Sequence, residues 1–67
     1  MKQFKDILKE KRKALGMSQF ELGVEVGTTQ AKIWHWESGI CYPNFTSLIK
    51  IADFFKCSLD ELVGRMK

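Results

Sequence analysis

Apolar residues along this chain recur at three- and four-residue intervals, the spacing of a helix face, and no segment alternates as a strand would. Phe4, Ile7, Leu8 and Leu15 lie on one such stripe, predicting an amphipathic helix over residues 2–15 that Gly16 closes. Ser18 followed by Glu21 forms a capping box, in which hydroxyl and carboxylate satisfy backbone N–H groups left free at a helix start. The second helix therefore begins at 18, turns Leu22 and Val26 inward, and stops at Gly27. Thr28 or Thr29 can cap a third helix, with Ile33 and Trp36 inside and Ser38-Gly39 at its end. Pro43 holds its predecessor out of the helical region, and Asn44 can cap a fourth helix reaching about Phe55, with Leu48, Ile51, Ala52 and Phe55 inward. Ser58 and Glu61 make a second capping box, opening a short fifth helix with Leu59, Leu62 and Val63 that Gly64 terminates. The expected architecture is all-α, a five-helix bundle with short loops forming a single domain over residues 1–67.

At 67 residues the domain lies near the size at which only about 60% of the unfolded chain's surface is buried, so its stability is marginal. No room is expected for a separate oligomerisation or ligand-sensing module, so any signal is expected to act on this domain. Cys41 and Cys57 are too far apart for a metal or redox motif, and His35 is the one histidine. Neither a metal nor another cofactor is expected. Both cysteines are expected as free, buried or half-buried thiols in a reducing cytoplasm. The N-terminal residues MKQFKDILKE intersperse charges and lack the apolar run of a signal peptide, and no stretch is apolar enough to span a membrane, so a soluble cytoplasmic protein is expected. An enzyme is not: no serine, cysteine or carboxylate stands at the spacing of a nucleophile–base or acid–base pair.

The formal net charge of +3 is unevenly placed. Residues 1–17 hold six cations against two anions, and residues 18–67 five against six. The field that would attract phosphate thus arises mainly from the first helix.

Residues 18–39 spell two helices joined by a tight glycine-containing turn, the layout of a DNA-binding helix-turn-helix whose second helix is the reader. Leu8-Lys9, Arg12, Gly16-Met17-Ser18-Gln19, Leu22-Gly23, Val26-Gly27, Ile33, Glu37, Gly39, Pro43, Leu48, Ile51-Ala52 and Ser58-Leu59-Asp60-Glu61-Leu62 resemble the Cro/C1-type (XRE) helix-turn-helix family of phage repressors. The resemblance covers nearly the whole chain. It departs from the family at Gly23, where alanine is commoner, at the aromatic residues 34 and 36, and at Ile40-Cys41-Tyr42, which replace an often basic loop. It implies the lambda-repressor-like fold and a transcriptional regulator, a repressor on a palindromic operator of double-stranded DNA. It further implies a partly buried bridge between Arg12 and Glu37 that fixes the angle of the reader helix.

At about 100° per residue, Ala31, Trp34 and His35 oppose the inward Ile33 and Trp36, with Gln30 and Lys32 at the margins. Gln30 has the amide that pairs with adenine N6 and N7, and Ala31 can meet a thymine methyl, favouring A·T pairs in the half-site. Gln30, Ala31, His35 and Trp34 are the candidate base readers. Gln19, at the start of the second helix, Thr29, Lys32, Tyr42 and Asn44 are phosphate candidates, which would position without specifying. Trp34, Ile40 and Tyr42 also form an apolar set suited to a protein partner, so the alternative is an antitoxin-like subunit or another interaction module of the same fold. Phe45, Leu62, Val63 and Met66 exceed what one small core requires. They point to a weak homodimer, or a monomer that pairs on DNA.

Overall fold

The computed structural model describes residues 2–64, and all of their regular structure is helical: α1 (Phe4–Ala14), α2 (Gln19–Val26), α3 (Gln30–Ser38), α4 (Phe45–Phe55) and α5 (Leu59–Leu62). Phe4 and Leu8 from α1, Leu22 and Val26 from α2, Ile33 and Trp36 from α3, Ile51 and Ala52 from α4, and Leu62 from α5 make one buried cluster. Each long helix contributes a pair three, four or one apart, so each presents a single stripe to a shared centre. Leu48 and Phe55 are half-buried flanks of that stripe.

The caps decide where each helix begins. Ser18 Oγ accepts from Glu21 N–H at 3.0 Å, while Ser18 N–H donates to Glu21 Oε1 at 2.8 Å, completing the box. Thr29 rather than Thr28 caps α3, its Oγ1 accepting from Lys32 N–H at 3.2 Å. Asn44 Oδ1 accepts from Ser47 N–H at 2.8 Å and opens α4. Only half of the second expected box forms. Ser58 Oγ accepts from Glu61 N–H, but the Glu61 carboxylate turns to Lys11 Nζ at 2.7 Å instead of to the Ser58 backbone. An ammonium is a charged donor and outcompetes a neutral N–H, and the choice ties α5 to α1.

Three further expectations change. α1 ends at Ala14, so Leu15 leaves the helical phase before the turn at Gly16 and is 57% exposed rather than inward. α5 stops at Leu62, with Val63 as its half-buried cap residue. Leu62 itself is fully buried, so it belongs to the monomer's core and is not a spare surface residue.

The turn between α2 and α3 is close-packed. Gly27 takes the left-handed conformation at φ 76°, which a side chain would strain. Thr28 N–H donates to Gly23 O at 2.7 Å, and a Cβ at Gly23 would stand 3.1 Å from the carbonyl oxygen of Thr28 and the carbonyl carbon of Thr29. Gly23 therefore allows the turn to lie directly on α2. After α4, the left-handed position falls to Lys56 (φ 56°).

Candidate nucleic-acid interface

α3 has two unlike faces. Ile33 and Trp36 are buried, as is Glu37, whereas Gln30, Ala31, Lys32, Trp34 and Ser38 are exposed. Trp34 is 49% exposed. His35 was expected on the open face, but it is half-buried. The Trp34 indole meets it edge-on, with ring centroids 5.5 Å apart and planes at 60°, and shields one side of the imidazole. The base-reading candidates that the fold leaves open are thus Gln30, Ala31 and Trp34, with His35 partly covered beside them.

Behind this face lies a buried polar corner. Arg12 Nε donates to Glu37 Oε2 at 2.6 Å and Arg12 Nη2 to Glu37 Oε1 at 3.0 Å, a two-point grip by a planar guanidinium. The side chains are only 10% and 2% exposed. Arg12 Nη1 donates to Met17 O at 2.7 Å, and Gln19 Nε2 donates to Glu37 Oε1 at 3.2 Å. The carboxylate near the end of α3 therefore holds α1 through Arg12 and the first residue of α2 through Gln19, while Arg12 also holds the loop after α1. The spacing of residues did not reveal the Gln19 contact. Because an amide nitrogen carries two hydrogens, Gln19 retains one for a phosphate while the other is held by Glu37.

The remaining phosphate candidates split by what else they do. Thr29 and Asn44 use side-chain oxygens as caps, which leaves the Thr29 O–H and the Asn44 NH₂ available as donors. Lys32 is exposed. Tyr42 is 57% exposed and lays its ring on Phe4, with centroids 4.9 Å apart. Two cations that the sequence reading passed over flank α3. A Cβ at Gly27 would lie 3.8 Å from Lys50 Nζ, and one at Gly39 would meet the Lys5 side chain at 3.1 Å. One ammonium thus sits over the turn before α3, and the other lysine runs along its C-terminal cap. Neither was foreseeable from helical phase, because the contacts join helices distant in sequence.

Residues 8–62 match the helix-turn-helix family. The chain belongs to this family, in its Cro/C1 type. This helix-turn-helix protein is 38% identical over 61 residues to the transcriptional repressor RstR of cryptic phage CTXphi from Vibrio cholerae serotype O1, a match covering 91% of the chain and 54% of RstR. It is 34% identical over 62 residues to the transcriptional activator BcrR of Enterococcus faecalis, covering 92% of the chain and 30% of BcrR. The chain thus spans about half the length of one curated relative and under a third of the other. Its fold is similar to the crystal structure of the P22 c2 repressor in complex with synthetic operator 9T, with a TM-score of 0.91 and 27% identity, covering 98% of this chain and 100% of that one. A transcriptional regulator from Listeria innocua gives 0.89 and 28%, covering 97% of this chain and 61% of that one.

Outside α3, this helix-turn-helix protein exposes Ile40 (61%) and Phe45 (66%). Of the residues expected to pair two copies, Phe45 is open, Val63 is half-buried, Leu62 is unavailable, and Met66 lies outside the described residues. Cys41 is exposed, contrary to the expectation of burial, because the loop carrying it runs over the surface; Cys57 is half-buried, and both are free thiols. No described helix is long and apolar enough to cross a membrane, and no group of three metal-ligating side chains occurs among the described residues.

Proposed function

We propose that this protein is a cytoplasmic, non-enzymatic transcriptional regulator that binds double-stranded DNA sequence-specifically through α3 and represses by occupying a palindromic operator. The single observation that carries this reading is the open face of Gln30, Ala31 and Trp34, held in a fixed orientation by the buried Arg12–Glu37–Gln19 corner. Gln30 reads adenine through its amide, and Ala31 meets a thymine methyl. Gln19, Thr29, Lys32, Tyr42 and Asn44, with Lys5 and Lys50 added, hold the phosphates on either side. Likeness to a repressor solved with its operator supports this docking.

Two copies on inverted half-sites would place their readers in successive major grooves about 34–36 Å apart. We assign their weak meeting to Phe45, which is open, and Val63, which is half-buried. The exposure of Ile40 and Tyr42 beside the reader favours one rival, an interaction module whose protein partner covers Trp34, Ile40 and Tyr42.

Selection from a random duplex pool decides between them. The regulator reading expects an enriched inverted repeat, bound with an affinity that falls steeply and linearly in a log–log plot against salt as counterions compete. Recovery of no preferred sequence, or binding indifferent to salt, overturns it.

A further inference from the structure

The open face of α3 contains no carboxylate, and its one cation is Lys32; the rest is the Gln30 amide, the Ala31 methyl, Ser38 and the half-exposed indole of Trp34. Residues four apart stack on one helical stripe, and helical side chains lean toward the N-terminus. Trp34 therefore lies over the turn that carries Gln30, and His35 braces the indole edge-on. A large apolar ring at that place is left half in water by the protein itself, and the apolar feature that a major groove offers it is the C5-methyl group of thymine. We infer that Trp34 is a specificity-determining residue that reads a thymine methyl next to the base pair read by Gln30. The inference rests on the proposed DNA-binding function and assigns Trp34 a contact separate from that of Ala31.

Removing one methyl from a buried contact is worth about fourfold in affinity. The test uses the duplex recovered by selection, with each thymine replaced in turn by uracil, which keeps the pairing and deletes only the methyl. Binding by the wild-type chain, Trp34→Ala and Trp34→Phe is followed by fluorescence anisotropy, with thermal melts confirming that each variant is folded. A single uracil at one position of a half-site should weaken the wild-type complex about fourfold, and the same replacement in both half-sites about fifteenfold. That penalty should vanish in Trp34→Ala and largely persist in Trp34→Phe, while any thymine still sensitive in Trp34→Ala belongs to Ala31. A uracil penalty identical in wild type and Trp34→Ala at every position overturns the assignment, as does full indifference to uracil, which would leave the indole to a protein partner. If the wild-type chain selects no duplex, the DNA-binding reading itself fails and takes this inference with it, an outcome distinct from tight binding without methyl dependence.

Discussion

Trp34 and Trp36 are the same residue type two positions apart on one helix, yet the first is 49% exposed and the second 4%. Helical phase alone separates them. Two residues rotate the side chain by about 200°, carrying it from the open face into the cluster with Leu22 and Ile33. Residues on α3 accordingly divide into a set that holds the helix and a set that it displays. Substitutions on the inner face should unfold the protein, whereas those on the outer face should leave it folded and alter only what it binds.

The largest expected effects fall on the inner face. Trp36→Ala should cost about 3–5 kcal/mol in a denaturant melt, against changes within about 0.5 kcal/mol for Trp34→Ala at an open position. Arg12→Ala or Glu37→Ala should be as severe, about 3–5 kcal/mol, because each strands a charge in a corner only 10% or 2% exposed. Replacing both partners with apolar residues, Arg12→Met with Glu37→Leu, should recover most of that loss, since neither charge is then left uncompensated. A double variant no better than the single ones would show that the link to Met17 and Gln19 matters more than the ion pair. Equal melts for Trp34→Ala and Trp36→Ala would erase the division between the faces.

On the outer face the effect moves from stability to binding. Gln30→Ala should weaken the preferred operator by about 1–3 kcal/mol and non-specific duplex by much less, with an unchanged melt. Equal losses on both duplexes would demote Gln30 to a phosphate contact. At the junction of the faces, Thr29→Ala removes the cap on Lys32 N–H and should cost about 1 kcal/mol of stability, most of which Thr29→Ser restores.

Much of this division was legible in the sequence. Ile33 and Trp36 were assigned inward and Ala31, Trp34 and His35 outward from spacing, with only His35 half-buried instead, and the caps at Ser18, Asn44 and Ser58 from residue type, that of the third helix being narrowed to Thr28 or Thr29; those rules act within one helix. What escaped them involves partners distant along the chain. Glu61 abandons its own cap for Lys11, fifty residues away, and Gln19 reaches Glu37 rather than pointing only at solvent. The lysines at Gly27 and Gly39 are likewise cross-helix contacts. Leu15 failed for a local reason: periodicity continued one residue beyond the end of α1, where the backbone had already left the helix.

The smallest expected effect contrasts two groups that titrate in the alkaline range, both on the side of the molecule that holds α5. Burial pushes the Cys57 thiol above its ordinary value of 9.0, because the thiolate would be poorly solvated there. Lys11 is raised above 10.5, chiefly by its hydrogen bond to Glu61. Each group binds its proton more tightly in the folded chain than in the unfolded one. Its contribution to stability is therefore complete below the unfolded value and lost as pH rises through the folded one. Melting temperature should hold level up to about pH 9 and then fall, first through Cys57 and at higher pH through Lys11. Cys57→Ala should remove the early part of that decline and Lys11→Met the later part. A melting temperature that rises above pH 9 in the wild-type chain would contradict both shifts and loosen the assigned packing of α5 on α1.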